Sequence, residues 1–110
     1  MNQPRLSLQD LRASYSYRQT GVNVGAASQL VIGADSRRVA LIFSNVGGAA
    51  PIYVAPEGQV QAGYGLYAGA GGVGLLEIWF PRHGVLPQCE WWGDSPGGGG
   101  ALLVIEVLYS

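Results

Sequence analysis

An all-β domain is what this sequence predicts, and three observations predict it. Gly and Pro are dense, with 18 and 6 copies in 110 residues. No stretch keeps a helical apolar period over three turns, and short apolar runs recur between turn signals at intervals of about 10 to 14 residues. Glycine weakens helix interiors, whereas short strands joined by tight loops accommodate it. At this length a chain forms one core and buries roughly two-thirds of its extended surface.

The expected architecture is a single small β-sandwich or jelly-roll-like domain of about seven or eight short antiparallel strands, residues 29–110, preceded by an extended N-terminal arm, residues 1–28. The arm holds three Arg and one Asp, whereas the body sets three Arg against six carboxylates, so the two parts carry opposite charge within a net of −1. Leu6, Leu8 and Leu11 make at most one amphipathic turn before Ser, Tyr and Thr dominate. Gln29 to Ile32 is a weak strand. Arg38 to Asn45 is the clearest, alternating Val39, Leu41 and Phe43 with Arg38, Ala40, Ile42 and Ser44. Pro51 to Ala55, Tyr64 to Ala68, Gly74 to Phe80 and Gln88 to Trp92 follow. The final strand, Ala101 to Tyr109, is apolar on both faces except at Glu106, which predicts burial on both sides.

Charged residues make up only 12% of the chain, against ~25% on average. All six basic residues are Arg, and a nucleic-acid partner would call for a basic excess that is missing. The single Cys89 excludes an internal disulfide. No apolar run approaches the ~20 residues of a membrane span, and the first residues do not read as a signal peptide, so a protein made in the cytoplasm is expected.

Chemistry-bearing motifs read as structural. Gly69, Gly71 and Gly74 spell a G-x-G-x-x-G with Asp94 twenty residues on, but no helix has room to start at Gly74 before Pro81, so a hairpin loop is expected and no cofactor. His83, the one histidine, falls in a turn, and Cys89 reads as a core thiol. Glu77, Glu90 and Glu106 all lie in expected strands, where Arg37, Arg38 and Arg82 are available to pair with them. No metal site and no catalytic residue is expected. Trp91 and Trp92, being adjacent in a strand, point to opposite faces; the outward one, with Trp79, Tyr64 and Tyr67, offers either a sugar-stacking platform or a subunit contact.

The layout of SRRVALIFSNVGGAAPIYVAP, then GYGLYAGAGG, then the C-terminal ALLVIEVLYS resembles the small jelly-roll-like cement or decoration proteins of tailed bacteriophages, over residues 28–110. The resemblance implies a non-enzymatic virion protein that sits as a homodimer or homotrimer on the capsid exterior and straddles joints between major capsid protein subunits. The partner-binding residues expected on this reading are Arg5, Arg12, Arg18, Arg37, Arg38, Trp91 and Trp92. The alternative is a carbohydrate- or receptor-binding module of a tail spike or fibre that uses the Trp91 and Trp92 region.

The purified protein is expected to give a β-type far-ultraviolet circular dichroism spectrum. A helix content above about one-third would overturn the fold class.

Overall fold

The computed structural model describes residues 14–47, 50–57, 66–68 and 75–109, the three residues 66–68 as backbone. Eight strands are present: β1 (Tyr15–Val24), β2 (Gln29–Ile32), β3 (Arg38–Asn45), β4 (Ile52–Pro56), β5 (Leu66–Ala68), β6 (Leu75–Trp79), β7 (Trp91–Asp94) and β8 (Gly100–Tyr109). They form two four-stranded sheets, in the orders β1-β8-β3-β6 and β2-β7-β4-β5. We call these sheet A and sheet B.

Within this winding β1 pairs with β8, β2 with β7, β3 with β6 and β4 with β5, all antiparallel. The chain is therefore one long hairpin whose two arms pair throughout and roll over into two layers, which is the winding of a jelly roll. Every step from one strand to the next between β1 and β4 crosses from one sheet to the other.

The core lies between the sheets. Leu41 and Phe43 of β3, Ile78 of β6, and Leu102 and Val104 of β8 face Val31, Ile52, Val54 and Trp91 of sheet B. Phe43 and Trp91 stack at a tilt with ring centroids 5.3 Å apart. Gly93 has a steric reason: a Cβ there would stand 2.8 Å from Val31 Cγ2 and 3.2 Å from the Tyr53 carbonyl oxygen. The loop before β8 turns on Gly97, Gly98 and Gly99, all at positive φ, a region that glycine enters without strain.

Three expectations change. Residues 1–28 were expected to form an arm that reaches a neighbour, but Tyr15–Val24 pairs with β8 of its own chain over ten consecutive residues, and Val24 is in the core. β8 is thereby central in its sheet, with β3 at one edge and β1 at the other. Residues 1–13, with Arg5 and Arg12, lie outside the described residues, as do the glycine motif at 69–74 and Tyr64. The strand expected over Gln88 to Trp92 begins instead at Trp91, because Leu86–Gln88 forms a 3-10 turn with Pro87 in its first positions. Glu106 and Arg38 point inward: Glu106 follows Leu102 and Val104 on the buried side of β8.

Truncation of Phe43 to Ala is expected to lower the unfolding free energy by about 3–5 kcal/mol in urea titrations. The same truncation at Leu75, which is exposed, should cost less than about 0.5 kcal/mol. Equal effects would misplace the core.

Candidate functional site

The described residues carry two concentrations of unusual chemistry, a buried ionic chain at one end of the sandwich and a charge-poor outer face on sheet A. The ionic chain starts at Arg38, 1% exposed at the head of β3. Its Nε donates to Glu106 Oε2 at 2.9 Å, Nη1 to the carbonyls of Pro87 and Cys89 at 3.1 and 3.2 Å, and Nη2 to the carbonyl of Gly33 at 2.6 Å. A buried guanidinium needs a counter-charge and acceptors, and this one has Glu106, whose Oε2 is also 2.9 Å from Nη2, and three main-chain carbonyls.

Glu106 also accepts from Arg18 Nη2 of β1 at 2.8 Å, and the same Nη2 reaches Asp35 Oδ2 at 3.1 Å. Asp35 takes the Arg37 backbone N–H at 2.9 Å and stands 3.6 Å from Arg37 Nε. The Arg37 backbone N–H, then its guanidinium and that of Arg18, hold the Asp35 carboxyl below its usual range against the opposing effect of burial. Hydrogen bonding and charge from Glu106 hold Arg18 protonated more firmly than usual.

This geometry corrects the partner-binding assignment of Arg38. Its side chain is buried inside the fold, where it bonds to Glu106 and to three main-chain carbonyls. Arg18 and Arg37 are half exposed or more, but each is already engaged with a carboxylate of the same chain. The reason is topological: the β2–β3 and β6–β7 crossovers meet here, and Arg38 is the group that joins their carbonyls to sheet A.

The tryptophans separate as expected of adjacent strand residues. Trp91 is fully buried, with its Nε1 donating to the Leu86 carbonyl at 2.9 Å, so it is a core residue and forms no part of a platform. Trp92 lies on the other face of β7, half-buried, with its indole N–H buried and without an acceptor among the described residues. Trp92 is therefore the outward ring of the pair; of the other rings expected beside it, Tyr64 and the Tyr67 side chain lie outside the described residues.

The carboxylates do not converge either. Register places Ile42 opposite Glu77 and Leu41 opposite Glu106, so these two glutamates stand on opposite faces of sheet A. Glu77 accepts from Trp79 Nε1 at 3.2 Å. Glu90 borders a shallow open groove with Ala34, Glu57, Val85, Gln88 and Cys89. The Cys89 thiol is half-buried, not a core group; burial first, and then Glu57, push its pKa up and keep it protonated. His83 sits in the turn after β6, where its Nδ1 accepts the Trp79 backbone N–H at 2.9 Å. Among the described residues no three His, Cys, Asp or Glu side chains gather as metal ligands.

The outer face of sheet A was not anticipated as a site. The ladders align Tyr17, Val107, Ala40 and Trp79 in one row, Gln19, Ile105, Ile42 and Glu77 in the next, and Gly21, Leu103, Ser44 and Leu75 in a third. Tyr15 and Tyr109 close the end of the face, edge to face with centroids 5.8 Å apart. Tyr17 is 72% exposed, Leu75 61% and Tyr109 57%. Glu77 is the one charge among these residues. With strands ~4.8 Å apart and alternate residues ~6.7 Å apart, the face spans on the order of 400 Å², the size of the largest patch on an ordinary monomer, which is often functional. The signal in the sequence was the apolar character of β8 on both faces: one set of its residues enters the core, and the other lies on this surface.

No family model, curated protein or solved structure matches the chain.

Replacing Arg38 by Met is expected to lower stability by about 3–5 kcal/mol, because Glu106 would remain buried without its main counter-charge. A combined Arg38→Met, Glu106→Leu variant should recover part of that loss in urea titrations. If Arg38→Met alone unfolds within about 1 kcal/mol of the unmodified protein, the buried pair is not what holds this end together.

Proposed function

We propose that this protein is a structural module that binds another protein surface, and specifically a decoration protein that cements the outside of a phage head. The observation that carries the reading is the outer face of sheet A, a broad apolar surface with aromatic residues at its rim and a single carboxylate. Aromatic rings bury much area at low entropic cost and are enriched where proteins meet, while charge is depleted at interface centres. The rigid two-layer body behind it suits a clamp, since little order has to be gained on docking.

The resemblance in strand layout to phage cement proteins supports the choice of partner, the major capsid protein at joints between its subunits. In this reading the outer face of sheet A takes the docking role first expected of Arg38 and Trp91, and no catalytic group is involved.

The test is co-sedimentation with undecorated heads assembled from major capsid protein. The unmodified protein should pellet with the heads, and Leu75→Asp, which puts a charge into the exposed face without touching the core, should weaken binding about tenfold or more. If the unmodified protein stays in the supernatant at saturating heads, the cement reading fails.

A further inference from the structure

Strand β1 is an edge built without the usual protections. It runs ten residues in unbroken register with β8, contains neither Pro nor Lys, and has no bulge. Its other edge pairs with nothing among the described residues. Natural edge strands are commonly short, bulged, proline-bearing or charged, because a long regular edge templates pairing with another chain. The only charge on β1 is Arg18, already held by Glu106 and Asp35.

The side chains of β1 also narrow down what such a partner is. On the outer face Tyr17 projects 72% exposed, while the space above Gly21 is empty to 4 Å. A second β1 related by a two-fold axis normal to the sheet must keep outer residues opposite outer residues, so only registers that join residues of equal parity are allowed. With the axis through Arg18, two guanidinium groups would oppose each other. With the axis through Thr20, Tyr17 would face Asn23 and Arg18 would face Val22. With the axis through Gln19, Tyr17 of each copy covers Gly21 of the other, Arg18 faces Thr20, and the two Gln19 amides meet, each able to donate and accept.

We propose that a second copy of this chain adds to the β1 edge antiparallel, with Gln19 on the two-fold axis, to form a continuous eight-stranded sheet β6-β3-β8-β1-β1-β8-β3-β6. Main-chain hydrogen bonds supply the affinity, as in strand addition generally, and the Tyr17 and Gly21 contact sets the register. The two outer faces then join into one surface. This gives the self-association expected from the composition a specific site, and it stands or falls independently of what the outer face binds.

Sedimentation velocity over micromolar to high micromolar concentrations tests it. The unmodified protein should form dimers. Gln19→Lys and Gln19→Glu place like charges directly opposite each other across the axis, and each alone should dimerise about fivefold or more weakly. An equimolar mixture of the two should dimerise at least as well as the unmodified protein, because Lys then faces Glu. Gln19 is exposed, so both variants should keep the unmodified melting temperature. A protein that stays monomeric throughout, single variants that associate normally, or a mixture no tighter than either variant alone would each overturn the pairing.

Discussion

Glu106 stands on the inner side of a strand whose other inward residues are Leu102, Val104 and Leu108, and a carboxylate in that place must be neutralised and hydrogen-bonded or the strand cannot stay buried. Arg38 answers that requirement and, by doing so, fixes much else. Its guanidinium reaches three main-chain carbonyls from two separate crossovers, so the end of the sandwich where the chain passes between sheets is closed around one side chain. Arg18 extends the same chain of charges to β1, which contributes only Val22 and Val24 to the apolar core. The first half of that strand is tied to the body by ions and ladder bonds instead of burial.

The opposite end closes with neutral hydrogen bonds beside the buried Asp94. Ser95 Oγ donates to the Pro51 carbonyl at 2.7 Å and Asn45 Nδ2 to the Ala50 carbonyl at the same distance. Gly100 is packed where a Cβ would meet Ser95 at 2.9 Å. Ionic closure at one end and close packing at the other leave the two broad faces and the outer edges as the surfaces on which the protein can meet others. The outer face of sheet A carries one carboxylate, Glu77, and a face so poor in charge is suited to burial against protein more than to binding ions or nucleic acid.

The long-hairpin winding explains why the β1 edge and the outer face of sheet A belong together. β8 is central in its sheet and apolar on both sides, so one side fills the core and the other is left on the surface, with the aromatic residues of β1 beside it. Every ladder except those nearest the hairpin turn joins residues far apart in sequence, a topology whose contacts form late and slowly in folding.

Sequence alone determined the class and most strand positions, because period-two alternation and turn residues are local signals: β2, β3 and β8 begin and end within a residue of where the apolar runs place them, and the separation of Trp91 from Trp92 follows from strand geometry. β1 was illegible as part of the body because its inward positions, Ser16, Arg18 and Thr20, are polar and exposed; its strand character lay in Tyr15, Tyr17, Thr20, Val22 and Val24, residue types that favour strands. Only the tertiary structure decided the roles of the charges. Arg38 and Glu106 are 68 residues apart, and nothing in the pattern around either indicates that a bulge between Arg38 and Ala40 turns the guanidinium inward to meet a carboxylate on β8. Alternation is a property of neighbours along the chain, whereas an ion pair across strands depends on register, and register is set by the packing of the whole sandwich.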